Sequence, residues 1–266
     1  MNVLIAGCGS MGLPMAVALR AAGFNTRGFD THLRSAHRNS GLIMLGHPAD
    51  AAADVLLIVV RDAHEIDALC FNDQSMYSKS GYPRTVILSS TVSLAYLKSL
   101  AKRLPADVTL VDAPMSGAPI AAIERRLTFM LGGPADCLDR LMPLFEAMGN
   151  NIFRLGISGR GMLVKTLNNT VAATSVVAVR RVLAEASVAG LDAETLLAVM
   201  ASSSGATWFG DNISSIDWAS ETWSASNTIG ILEKDVKCAI EGLHRDTDAF
   251  DLALLEALRS LPAVEL

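Results

Sequence analysis

The stretch GCGSMG at residues 7–12 constrains this chain more than any other. It follows the short apolar run 3–6 and leads into 11–22, which has few turn formers and many helix formers, so the local order is strand, tight turn, helix. In that setting Gly7 and Gly9 permit a sharp turn and a close backbone approach, and Gly12 lets the helix pack on the strand. The unpaired N–H groups at the helix start then face an anion such as a pyrophosphate. Asp30 ends the next apolar stretch, at about the 20-residue distance where an acid meets a ribose 2′-hydroxyl. A plainer explanation makes the glycines a simple βα turn and Asp30 a solvated loop acid. Strand, spacing, helix and acid together favour a dinucleotide.

Short apolar runs at 53–60, 85–90 and 108–114 alternate with helix-length stretches, which predicts a mostly parallel, doubly wound sheet of the α/β class. Two further runs, 126–133 and 151–156, read as strands near the far edge of that sheet, and the glycine-rich 156–161 reads as a boundary. From 162 to 189 there is neither Pro nor Gly, and Val164, Leu167, Val171, Thr174 and Ala178 recur at helical spacing. This predicts one long helix, apolar on most sides, with further helices at 193–202, 230–243 and 249–261. The expected organisation is a Rossmann-type dinucleotide-binding domain over 1–160. An all-helical domain for substrate and oligomer contacts follows over 161–266, beginning with the long interdomain helix.

Composition narrows the function classes. With 51% hydrophobic and only 5% aromatic residues, the interior is expected to be aliphatic, with extensive buried helix or subunit contact. An apolar long helix beyond what one small domain covers predicts a homo-oligomer, a dimer or a tetramer. No apolar run reaches the 18 or so residues of a membrane span, and the opening segment lacks a basic region and cleavage site, so a cytoplasmic protein without membrane contact is expected. The net charge of −5 argues against a nucleic-acid partner. Cys8, Cys70, Cys137 and Cys238 lack C-x-x-C spacing and read as reduced structural thiols. His32, His37, His47, His64 and His244 show no ligand spacing, so no metal is expected.

Ligands of open α/β sheets lie beyond the carboxyl ends of the strands, which draws attention to three segments. These are SST at 89–91, DAPMSGAP at 112–119 and, on the long helix, GMLVKTLNN at 161–169. They offer hydroxyls, small residues, an amine and amides. Lys165 and Asn169 are four apart and share a helix face, with Asn168 beside them. In isolation, a lysine stretched along the helix to solvent and an asparagine bonded to a loop would be the ordinary reading.

Taken together, these residues resemble the β-hydroxyacid dehydrogenases, a family that includes 3-hydroxyisobutyrate dehydrogenase and tartronate semialdehyde reductase. The resemblance covers nearly the whole chain and rests on GCGSMGLPMAVAL, DAPMSG, GMLVKTLNN and KDV at 234–236, in that order. VVRDAHEIDALCF and SSTVS look more like the L-threonate dehydrogenase branch. The resemblance implies hydride transfer between NAD(H) and a short hydroxy acid of the 3-hydroxyisobutyrate, glycerate or threonate type. It implies Lys165 as the catalytic acid/base and Asn169 as its substrate-anchoring neighbour, with Ser116 and Gly117 holding the substrate carboxylate. Thr91 would serve both substrate and nicotinamide. Gly7, Gly9, Ser10, Met11, Gly12, Asp30 and Lys234 would hold the cofactor, Lys234 lining the cleft. The sequence departs from the family pattern at Ala118, where a second glycine is usual, which suggests a different substrate size.

The chemistry is consistent with those roles. Oxidising an alcohol sends a hydride from carbon and a proton from oxygen, so one group must accept that proton and return it in the reverse direction. A lysine does this when desolvation and the positive charge of an oxidised nicotinamide favour its neutral amine. Asp30 should accept from ribose hydroxyls and repel a 2′-phosphate, which favours NAD over NADP, while Arg34, one turn onward, is the group that could turn toward such a phosphate. Two alternatives remain open: a catalytically silent dinucleotide-binding module, and an imine reductase-like enzyme, which usually carries another residue at the lysine position.

Overall fold

A computed structural model describes residues 1–78, 80–243, 246–262 and 264. The chain forms two compact units, Met1–Lys165 and Thr166–Leu266.

The first unit runs β1 Asn2–Ala6, α1 Gly12–Ala21, β2 Asn25–Phe29, α2 Ser35–Asn39, β3 Ile43–Met44, β4 Val55–Ile58, α3 Ala63–Cys70, β5 Thr85–Leu88, α4 Leu94–Arg103 and β6 Thr109–Asp112. The six strands form a parallel sheet in the order β3-β2-β1-β4-β5-β6. The order reverses at β1, so the glycine loop leaves the sheet at its switch point, where ligands of such folds bind. β1 reads as a continuous apolar run because both of its faces are covered. Val3 and Ile5 join the core that holds Met15 and Leu19 of α1, while Leu4 and Ala6 join the opposite one with Ile66 and Leu97.

The expected extra edge strands are not part of this sheet. β7 Met115–Ser116, β8 Leu127–Leu131 and β9 Gly149–Arg154 form their own three-stranded sheet, antiparallel between β7 and β8 and parallel between β8 and β9. An isolated bridge from Asp112 to Gly132 is the strand pairing that joins it to β6. The reason is local: Pro114 has no N–H to continue the ladder, and the chain turns there to pair with β8. α5 Ala118–Ile123 and α6 Ala135–Met148 connect these strands. Phe145 of α6 packs on Phe129 of β8 with ring centroids 5.1 Å apart.

α7 Arg160–Val188 carries the chain from the last residues of the first unit into the second. It is followed by α8 Ala193–Ala201, α9 Trp208–Asn212, α10 Thr228–Gly242 and α11 Ala249–Arg259. Asp192, Thr207, Asn227 and Asp248 cap the last four, each accepting a main-chain N–H in the first turn. Ala173, Val176, Val179 and Leu183 of α7 face a core completed by Val236 and Leu258. Two polar groups lie inside this helical unit. Arg180, 1% exposed, donates to the carbonyls of Glu221 and Pro262. Glu233, 4% exposed, accepts from Trp223 Nε1 and Arg259 Nε at 2.8 Å each and pairs with Lys237 at 2.5 Å. Burial pushes the Glu233 carboxyl up, but these donors outweigh it and hold it below the usual range.

Candidate active site

The glycine loop separates what the fold needs from what a ligand needs. Gly7 has φ +91°, and a Cβ there would lie 2.4 Å from the Val59 carbonyl oxygen. At Gly12 a Cβ would lie 2.0 Å from the Gly7 oxygen. Both glycines are required by the protein itself. Around the Cβ position of Gly9, by contrast, no atom beyond its two chain neighbours lies within 4 Å, so packing does not call for glycine there, whereas close approach of a ligand to the backbone would. The start of α1, at Met11, has no side-chain cap, while Asp62 and Ser93 cap α3 and α4 in the same unit. Open N–H groups beside an unfilled glycine fit a pyrophosphate. Asp30 follows β2, with Oδ1 oriented by the His32 N–H at 2.8 Å. The residues present therefore fit a dinucleotide.

The segments after β5 and β6 meet the first turn of α7. Of SST, Ser89 donates its hydroxyl to the Ala113 carbonyl at 2.8 Å and Ser90 lies 3.5 Å from that of Ile58, so both serve the strand ends; Thr91 is half-buried beside them. The Val92 N–H lies 3.4 Å from the Met162 sulfur. Asp112, fully buried, accepts from the N–H groups of Gly159 at 2.7 Å and Met162 at 2.9 Å. Burial raises its carboxyl, and these donors partly oppose that. A Cβ on Gly161 would meet the Met130 oxygen at 2.2 Å, so the helix start sits tight against β8. Ser116 pairs with Thr128 in the small sheet and is followed by Gly117 at φ +134° and Ala118 at φ +57°. The Ala118 conformation is one that L residues enter at a cost, which marks this turn as constrained.

Lys165 is one turn beyond Met162 and is 8% exposed, and Asn169 is 7% exposed one turn further on. Both lie on the buried side of α7 with Met162, Thr166 and Ala173, whereas Val164, Leu167 and Val171 are exposed. In the second unit, Asn169 donates Nδ2 to Oδ2 of Asp235 at 2.6 Å. Lys234 holds Oδ1 of the same carboxylate at 2.9 Å. Asp235 is 1% exposed. A carboxylate only accepts, so it fixes the amide with nitrogen toward Asp235 and leaves its oxygen to the other side, where the Asn168 amide lies at 3.2 Å. The sequence picked out Asn169 and Lys234 but missed the acid between them. The available signal was two acids, Glu233 and Asp235, beside the apolar stripe of Ile229, Leu232 and Val236.

Among the described residues no group of three or more His, Cys, Asp or Glu is placed to hold a metal ion, and His244 lies outside them. Cys8, Cys70 and Cys137 are buried and Cys238 half-buried, and burial pushes the Cys8 and Cys70 thiols up to about 12. No helix among the described residues is long and apolar enough to cross a membrane.

Residues 2–156 match the NAD binding domain of 6-phosphogluconate dehydrogenase, and residues 159–258 match the family described as NAD-binding of NADP-dependent 3-hydroxyisobutyrate dehydrogenase. An NAD-dependent L-serine dehydrogenase of Pseudomonas aeruginosa is 33% identical over 78% of this chain and 71% of its own length. The chain belongs to the β-hydroxyacid dehydrogenase family. As a member it is an NAD-dependent oxidoreductase with a Rossmann-type nucleotide domain. An L-threonate dehydrogenase of Cupriavidus necator is 29% identical over 79% of the chain and 73% of its own length. A 3-hydroxyisobutyrate dehydrogenase structure from Salmonella typhimurium superposes with a TM-score of 0.81 at 25% identity, covering 97% of this chain and 93% of that one. Imine reductases such as that of Streptomyces aurantiacus, at 17% identity and a TM-score of 0.63, share the fold.

Proposed function

We propose that this β-hydroxyacid dehydrogenase transfers a hydride between NAD(H) and a short hydroxy acid, with Lys165 as the acid/base. The observation that carries the reading is a buried lysine one turn from a buried asparagine, on a helix whose start is fixed by Asp112. The dinucleotide, when bound, supplies or accepts the hydride. Ser116 and the N–H groups around Gly117 orient the substrate carboxylate, and Asn169, set by Asp235, anchors the substrate beside the amine. In this role the Lys165 amine accepts the alcohol proton during oxidation and returns it during reduction. The relatives point to 3-hydroxyisobutyrate, L-serine and L-threonate as the substrate panel, to which the family resemblance adds glycerate.

The test is Lys165→Ala beside Lys165→Arg. Alanine is expected to lower kcat by roughly 10² to 10⁴ while leaving NADH binding nearly unchanged. Arginine keeps the charge but does not readily release a proton, so recovery of most activity by Lys165→Arg would refute the shuttle role.

Val164, Leu167 and Val171 form an exposed apolar stripe on α7, 39%, 42% and 67% exposed. We read it as part of a contact between copies, giving a dimer or tetramer. A monomeric mass by light scattering at micromolar concentration would contradict it.

A further inference from the structure

We propose that Arg125 and Arg34 form a phosphate pocket beside the glycine loop, which takes a phosphate group of the bound dinucleotide. A cavity of about 390 Å³ lies within the first unit, lined by Gly9 and Ser10 of the loop, by Arg34 and His37, and by Ile123 and Arg125 from the end of α5. Its lining holds two guanidiniums and no carboxylate, in a chain whose net charge is −5. Neither guanidinium has a hydrogen-bond or ion-pair partner among the described residues, whereas the neighbouring Arg126 is paired with Glu124. Two like charges facing one space repel each other, and an anion between them reverses the sign of that interaction.

The walls of the pocket are set in advance. His37 is 3% exposed, and both of its ring nitrogens are engaged. Nδ1 accepts the Arg34 N–H at 2.8 Å, and Nε2 donates to the Cys8 carbonyl at 2.7 Å. A backbone N–H only donates and a carbonyl only accepts, so the ring is neutral with its proton on Nε2. It ties the start of α2 to the glycine loop and holds Arg34 at the cavity. On the other wall Arg125 has φ +56°, a left-handed conformation in which glycine would be unstrained. The chain instead places there a side chain whose planar fork matches phosphate oxygens. The Cys8 thiol adds no charge, since burial and the Asp30 carboxylate push it up to about 12. Asp30 itself is absent from the lining, which leaves it to the ribose hydroxyls.

The inference rests on the dinucleotide reading of the glycine loop. Two phosphates qualify: the bridging pyrophosphate, present in NAD(H) and NADP(H), and the ribose 2′-phosphate, present in NADP(H) alone. Fluorescence titration of the full chain with NADH and with NADPH separates them, comparing the wild type with Arg125→Gly, which relaxes the backbone, and Arg125→Gln, which keeps most of the stem. Thermal melting of each variant checks the fold. The dissociation constant is expected to rise roughly 10- to 100-fold on loss of the charged contact, and the rise should shrink with added salt. A rise for both dinucleotides assigns the pocket to the pyrophosphate, and a rise for NADPH alone assigns it to the 2′-phosphate. Variants that match the wild type within twofold for every dinucleotide it binds overturn the pocket alone. A wild type that binds neither dinucleotide overturns the dinucleotide reading and the pocket with it.

Discussion

Asp235 holds two side chains on which the proposed chemistry depends, and its removal has a calculable cost. The carboxylate is 1% exposed, accepts from Asn169 at 2.6 Å and pairs with Lys234 at 2.9 Å. Asp235→Ala forfeits a hydrogen bond to a charged group, about 1.5 to 3 kcal/mol, and leaves the buried Asn169 amide without that acceptor, about 1 to 3 kcal/mol more. The Lys234 pair adds little, since its side chain is 29% exposed and an exposed pair contributes about 0 to 1 kcal/mol. The sum, about 2.5 to 7 kcal/mol, brackets the roughly 3 to 5 kcal/mol usual for breaking a buried polar pair from one side. Urea unfolding of Asp235→Ala, Asn169→Ala and the double variant measures it. The two sites are in contact, so the cycle should give a coupling of about 1.5 to 3 kcal/mol, and the double variant should lose little beyond the worse single one. The kinetics should follow the same pattern: both single variants lower kcat/KM, and the double variant lowers it no further. Asp235→Asn retains an acceptor for the amide but not the charge, so it should fall between wild type and alanine. A coupling below about 0.5 kcal/mol would show that Asp235 does not set the Asn169 amide, and the reasoning would fail.

Two further perturbations separate folding from function. Gly9→Ala, where the added methyl meets no atom beyond its two chain neighbours, should melt near the wild type and bind NADH more weakly, whereas Gly7→Ala should be destabilised outright by the Val59 carbonyl and its φ of +91°; equal melting of the two variants would refute that distinction. Glu233→Gln should lower stability near neutral pH and match the wild type in acid. The folded carboxyl lies below its ordinary value, so its contribution is present above the unfolded pKa and disappears as pH falls through the folded one. Thermal melts across that range would refute this if the gap between the two proteins stayed constant.

The parts of the molecule legible in the sequence are those whose cause is local. The strand, glycine turn and helix of residues 2–21 sit within one βα unit, and the helix through Lys165 declares itself by period and by the absence of Pro and Gly from 162 to 189. The edge strands were misplaced because a strand's apolar pattern does not name its hydrogen-bonding neighbour, and the neighbour here was decided by the turn at Pro114. The groups that were missed draw their meaning from distant partners. Asp235 meets Asn169 across 66 positions, and His37 meets Cys8 across 29. Nothing in the residues flanking either one records the other.

Asp112 shows how one motif divides its work once such partners are known. From the sequence, 112–119 reads as a single ligand-facing segment. In the structure its first residue faces inward, fully buried, with Gly159 and Met162 on its two carboxylate oxygens and Gly132 on its main chain. Those donors belong to the entry and first turn of α7, so Asp112 sets the register from which Lys165 projects one turn later. Met115 and Ser116 then pair with β8, and Gly117 and Ala118 take positive φ, turning the backbone away from the sheet. The acid therefore fixes the amine's helix, and the serine and glycine remain for the carboxylate. Both jobs require the same strand end, because it is the point within the first unit where the end of β6, the small sheet and the start of α7 meet.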